Sequence, residues 1–265
     1  MKILIIISLV FTLSFAKVFY SKVEPYEIRD ISSNVSGEVI FIDEDMIGKK
    51  LSNKSYVRID AELDNVELKY IEDKLEYLRE MVKANENVLI NLESSLQRKR
   101  MNYKRVESLK TKSIVDKDRE FHDLINSENL FLNTQNTVQN LKVQITDLKL
   151  RKASLIKTIR DKNFNAKGFV LYNILVKTGQ VVGMATPVAK LADTSRAKLT
   201  IYLDEKDVAD AKTKVVYIDE EKSTYKISRI LNIADSKNIS KYMAQIIIDA
   251  PKVFSKVVKI ELRDE

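Results

Sequence analysis

The sequence predicts an α+β multidomain protein: a long antiparallel α-helical coiled-coil hairpin inserted in a split β-sandwich and followed by a small β-barrel. Three observations carry this. Four of the 5 glycines fall in two pairs with equal internal spacing, Gly37 with Gly48 and Gly168 with Gly179. Between the pairs, residues 49–167 contain no Gly or Pro and read as uninterrupted helix. Outside that stretch the apolar residues alternate with a period of two, as in strands.

At the N-terminus, Lys2 supplies a positive start, Ile3 to Leu13 an apolar run, and Ser14-Phe15-Ala16 small residues where a signal peptidase reads. Residues 1–16 are therefore read as an export signal, cut after Ala16. The apolar run is shorter than the roughly twenty residues a membrane-spanning helix needs, and Lys17 blocks its extension. Left uncleaved, it would act as an anchor.

Composition excludes whole classes of chemistry. Cysteine is absent and His122 is the single histidine. That removes disulfides, thiolate metal sites, a cysteine nucleophile, a lipoprotein anchor and the usual Ser/His combinations. No metal or cofactor is expected. The 45 basic residues stand against 38 acidic ones, a formal charge of +7, and most of that excess reads as a lysine-rich solvated face. No nucleic-acid partner is expected.

The helical stretch, assigned to residues 61–164, divides into two seams. One runs Leu68, Ile71, Leu75, Leu78, Val82, Asn85, then on through Leu89, Leu92, Leu96, Lys99, Tyr103 and Val106, alternating steps of three and four. The other starts at Leu124 and passes through Phe131, Val138, Leu141, Ile145, Leu148, Lys152 and Leu155 to Ile159. Seams of nearly equal length, joined by a polar break around Lys110 to Lys117, fold most simply as an antiparallel hairpin. Asn85 and Lys99 are expected to mark register.

Two short alternating segments, "GEVIFIDEDMIG" and "GFVLYNILVKTG", flank the hairpin. Each lies between its two glycines, so repeated spacing implies repeated turn geometry. Two strands alone would be marginal, whereas the halves together hide both faces, giving one β-domain over residues 28–60 plus 165–193. Beyond it, residues 194–265 hold alternating runs at Leu199–Leu203, Tyr225–Ile230, Ile246–Ile248 and Val258–Leu262. Between the first two lies a short helix or turn at 205–212, opened by Asp204 as cap. Short strands with one small helix suggest a compact barrel.

This order of parts resembles the periplasmic adaptors of tripartite export pumps, the membrane fusion proteins of the HlyD type, over residues 28–265. The most specific piece is the split lipoyl/biotinyl-like domain, carried by "SGEVIFIDEDMIGKKL" and "AKGFVLYNILVKTGQVV" with "TPVAKLAD" after it. The two stretches look like pseudo-symmetric halves of one domain, opened to admit the hairpin. Lipoyl and biotinyl carriers present a lysine at the exposed turn. Asp60-Ala61-Glu62 and Ala192-Asp193-Thr194 end the halves here, so no carrier function is expected. The resemblance also implies a membrane-proximal domain, which about a dozen mature residues before Arg29 would leave reduced or missing.

At the expected hairpin tip, many such adaptors carry Arg, three residues, Leu, six residues, Ser for docking on a TolC-type duct. "RVESLKTKSIVD" supplies Arg105 and Leu109, with Asp116 in place of Ser. Asp keeps the ability to cap the second helix but adds a negative charge. Basic residues crowd this region, among them Lys110 and Lys112. They read either as a solvated face or as a collar facing an acidic duct rim.

The resemblance implies a non-enzymatic periplasmic adaptor joining an inner-membrane transporter, of the RND or ABC type, to a TolC-type outer-membrane channel. It also implies self-association in a ring, six copies in the family. The alternative is an extracytoplasmic structural coiled-coil protein without a transport role. Exposed helix carboxylates offer no constellation for an enzyme.

Overall fold

Residues 17–234 and 240–264 are described in this computed structural model, so the export segment expected at 1–16 lies outside them. In chain order the elements are β1 (Lys17–Lys22), β2 (Glu24–Ser32), β3 (Gly37–Ile42) and β4 (Val57–Ile59), then helices α1 (Glu62–Ser108) and α2 (Ile114–Asp161). There follow β5 (Asn163–Phe164), β6 (Val170–Ile174), β7 (Val181–Val182), β8 (Pro187–Asp204) and α3 (Glu205–Val208). The chain ends with β9 (Val215–Ile218), β10 (Glu221–Lys222), β11 (Ile227–Ala234), β12 (Lys241–Asp249) and β13 (Val257–Arg263).

The helices are 47 and 48 residues long, roughly 70 Å of rod. Every residue that they bury, Ile71, Leu75, Leu78 and Leu96 on α1 and Val138, Leu141 and Leu155 on α2, is a seam residue. Periodicity therefore located the contact correctly. The antiparallel register is held from the side by ion pairs: Lys99–Asp123 at 3.0 Å, Glu86–Lys142 at 2.7 Å and Glu72–Lys152 at 2.8 Å. Lys99 thus bridges the helices as a register marker would. Asn85 does not, because its amide donates to the Met81 carbonyl of its own helix at 2.8 Å.

The rod grows out of adjacent strands. β4 leads into α1 and β5 follows α2, and the two strands pair antiparallel, Val57 with Phe164 and Arg58 with Asn163. Ile59 donates to the Lys162 carbonyl at 2.9 Å, and the Lys162 ammonium binds the Asp64 carboxylate across the base. Both helices are therefore fixed to one ladder.

Beneath the rod, the two glycine-bounded halves share one core. Val39, Leu51, Tyr56, Val57 and Ile59 come from the first, and Leu171, Val176, Val182, Val188 and Leu191 from the second. Along β6 the inward residue is Leu171, at 0% exposure, and Tyr172 turns outward. Gly48, Gly168 and Gly179 have φ of 80°, 94° and 83°. Gly37 is needed for space: a Cβ there would lie 2.6 Å from Ile59 Cγ2.

The remaining strands enclose a second core, with Leu199, Ile201, Leu203, Ala244, Ile246, Val258 and Ile260 at its centre. They lie in two sheets, β1-β13-β9-β10 and β11-β12-β8-β2, with β6 also on β8, and no closed ring of pairing runs through the described strands. β1 pairs with β13 from Lys17–Leu262 to Lys22–Val257, so the chain's first described strand completes the C-terminal unit. β8 is continuous over 18 residues, and its buried side chains pass from one core into the other. β2 follows it with a register shift between Pro25 and Glu27. The two β-units are thus joined through paired strands.

Candidate functional site

The tip of the rod is built by a five-residue loop, 109–113, between two well-terminated helices. α1 ends where Leu109 turns extended and its amide reaches back to the Val106 carbonyl at 3.2 Å. Ser108 Oγ donates to the Arg105 carbonyl at 2.8 Å, and Lys117 Nζ donates to the Glu107 carbonyl at 2.8 Å. A cation from α2 thereby meets the negative end of the α1 dipole.

The start of α2 corrects the sequence expectation. Asp116 is not the cap. Ser113 is: it is extended, and its Oγ accepts from the Asp116 amide at 3.1 Å. The Asp116 carboxylate accepts from the Ser113 hydroxyl at 2.9 Å, so the two residues hold each other at the start of the helix. That hydrogen bond, with Lys112 and Arg119 nearby, holds the Asp116 carboxyl below the usual carboxylate range. The Ser-x-x-Asp spacing was present in the sequence as the signal.

Around this scaffold, Arg105, Lys110 and Lys112 are exposed, and Leu109 is half-exposed. Arg105 donates to Asn102 Oδ1 at 2.5 Å, and Arg119 pairs with Asp116 at 3.0 Å. Lys99 and Arg100 are engaged by Asp123 and Glu128. Among the described residues this leaves Arg98, Lys104, Arg105, Lys110, Lys112 and Lys117 of the basic group without an ion pair. Periodicity missed Ile114 and Val115, which are 78% and 75% exposed at the very start of α2. With Leu109 they form a bare apolar crown amid cations. Just below it, Tyr103 and Phe121 pack across the rod with ring centroids 5.5 Å apart.

Chemistry is sparse elsewhere. Among the described residues no three His, Cys, Asp or Glu side chains gather as a metal site, and no helix is long and apolar enough to cross a membrane. Ala192-Asp193-Thr194 lies inside β8, and Asp60 precedes the Ala61 N-cap of α1, its Oδ1 accepting from the Glu62 amide at 2.9 Å. Asp204 does not use its side chain to cap α3; it binds Lys241 at 2.6 Å and Lys17. These hydrogen bonds, that of Lys17 first, hold its pKa down to about 2.

No protein-family model and no curated protein matches the sequence. Solved structures do match. MacA from Actinobacillus actinomycetemcomitans superposes with a TM-score of 0.71 at 16% identity, over 94% of this chain and 78% of that one. The chain has the fold of MacA. A chimera of MacA carrying the MexA α-hairpin domain of Pseudomonas aeruginosa is similar at a TM-score of 0.58 and 13% identity, over 94% of this chain and 82% of that one. The periplasmic adaptor protein EmrA matches over 94% of this chain and 99% of that one at 16% identity, with a TM-score of 0.48. At these identities the likeness is one of fold.

Proposed function

We propose that this chain is a periplasmic adaptor linking an inner-membrane transporter to an outer-membrane channel of the TolC type in an efflux or secretion system. The observation that carries the reading is the rod: roughly 70 Å of paired helix, fixed at its base to a strand ladder and ending in a bare apolar and basic tip. Such an object transmits position across a gap. Its mechanism is geometric and needs no catalytic group.

In this reading residues 1–16 export the chain, and the β-units face a transporter of the RND or ABC type. Leu109, Ile114 and Val115 dock on the duct, with Lys110 and Lys112 steering them toward an acidic rim; such fields set encounter and register more than affinity. Arg105 and Asp116 support the turn that presents them. One copy encloses no lumen, so copies form a ring, with six as the number taken from the family.

A photoreactive residue at position 109 in cells tests this. Capture of an outer-membrane channel is expected. Capture of nothing but the chain itself would favour a structural coiled-coil protein without a transport role.

A further inference from the structure

Two β-bulges on opposite edges of one sheet aim side chains into the same trough. β2 shifts register between Pro25 and Glu27, and β11 shifts between Ile227 and Arg229. A bulge leaves a residue unpaired, bends its strand and re-aims what it carries. Tyr26 and Glu27 come from one edge and Ser228 and Arg229 from the other, and they wall a cavity of about 420 Å³ floored by Gln245 and Ile247 of β12 and Lys198 of β8. A second cavity, of about 490 Å³, shares Lys198 and Gln245 with the first and runs on past Thr200, Tyr202 and Met243 to Tyr20 of β1. Together they form one trough on the face of the sheet turned away from the core, because Lys198, Thr200 and Tyr202 alternate with the buried Ala197, Leu199, Ile201 and Leu203. From β11 to β2 it crosses the whole sheet, roughly 15 Å.

The trough is neither apolar nor strongly charged. Tyr20, Tyr26 and Tyr202 line it, and Tyr20 is 71% exposed. The Arg196 guanidinium stands 4.1 Å from the Tyr26 ring centroid, so that ring is fixed in place by its own fold. The Gln245 amide, the Thr200 hydroxyl and the Lys198 and Arg229 cations make no side-chain hydrogen bond or ion pair among the described residues. Glu27 is taken by Arg29 at 2.7 Å, which leaves Lys22, Lys198 and Arg229 set against Glu24 alone. Met243 and Ile247 flank Gln245 with apolar surface.

We propose that this trough binds a glycan strand built of N-acetylated sugars that carry carboxylates. Sugar rings present C–H faces that pack on tyrosine, while their hydroxyls exchange hydrogen bonds with amide and hydroxyl side chains. Gln245 both donates and accepts, as an acetamido group requires, and Met243 and Ile247 receive the acetyl methyl. Carboxylates on the strand meet Lys198 and Arg229, where charge-assisted hydrogen bonds are the stronger kind. Single-stranded nucleic acid also stacks on aromatic rings, but it needs a groove whose cations track a phosphate chain. Glu24 and Glu27 in the wall oppose such a chain. The site lies on the β-units, at the opposite end of the molecule's chemistry from the tip, and holds whether or not the tip docks on a duct.

Isothermal titration calorimetry on the full-length chain tests this with tetrasaccharides and an oligothymidylate. One tetrasaccharide alternates N-acetylglucosamine with its lactyl-carboxylate derivative, another is N-acetylglucosamine alone, and the last is glucose alone. Affinity is expected to fall about tenfold or more from the first to the second, the loss of a charge-assisted bond, and to vanish for glucose. Lys198→Gln/Arg229→Gln is expected to bind the two acetylated strands alike with an unchanged melting curve, whereas Lys149→Gln, on the rod, binds as the parent does. Tyr20→Ala, at an exposed position, is expected to weaken both acetylated strands. Equal binding of the charged and neutral acetylated strands by the parent overturns the proposal. So does a preference that survives Lys198→Gln/Arg229→Gln, or the absence of heat with every sugar. Tighter binding of the oligothymidylate would assign the trough to nucleic acid and overturn it as well.

Discussion

Gly179 donates its amide hydrogen to the Val39 carbonyl at 2.8 Å, and in the other direction Gly48 donates to the Leu171 carbonyl at the same distance. This reciprocal exchange is what a two-fold relation between the halves produces, within one residue of perfect correspondence. Val39 and Leu171 are both 0% exposed, so each bond closes a turn against the other half's core strand. Gly48→Ala and Gly179→Ala, at φ of 80° and 83°, are expected to cost about 1–2 kcal/mol each by denaturant titration. Gly37→Ala forces a Cβ against Ile59 and is expected to cost about 1–3 kcal/mol, through overpacking.

The seam and the outer faces of the rod should respond differently to truncation. Leu75 is 3% exposed beside Ile71 and Leu155. Leu75→Ala is expected to lose about 2–5 kcal/mol, the usual range for a buried Leu. Leu63→Ala, at a site 82% exposed, should stay within about 0.5 kcal/mol. Equal losses at both positions would contradict the seam.

Ser113→Ala removes the cap of α2 and leaves the first amides of that helix without an acceptor. A loss of about 1 kcal/mol is expected, confined to local opening near the tip. Hydrogen exchange would read it as faster exchange at Asp116 and Lys117 with Val138 and Leu141 unchanged. Asp116→Asn should retain much of the cap, since the amide bond to Ser113 Oγ survives.

Asp204 joins the start of β1 to α3 and β12 through Lys17 and Lys241, with Lys17 also 2.5 Å from Asp207. Its folded pKa of about 2 lies below the reference 3.8. A depressed carboxyl contributes stability above its unfolded pKa and loses it as pH falls through the folded one. Asp204→Asn is therefore expected to be less stable than the parent at neutral pH, with the gap closing between about pH 4 and pH 2. A gap independent of pH would show that the carboxylate is not what ties these elements.

Lys110→Glu/Lys112→Glu reverses two unpaired cations beside the crown while touching no seam residue. Folding, read by circular dichroism and melting, should be unchanged, and export by the assembled pump should fall. Unchanged export would remove the electrostatic part of the docking proposal and leave the apolar crown to carry it.

The sequence by itself determined whatever is encoded in local period. A step of three and four marks the seam residues that the helices bury, and alternation marks Leu199, Ile201 and Leu203 as core, because helix and strand repeat differently along the chain. Matched glycine spacing likewise announced the paired halves. Only the tertiary structure decided which distant segments meet. Lys17 lies beside Leu262, and the 18-residue β8 runs through both β-units. Such pairing depends on the closure of long loops, whose cost leaves no local mark.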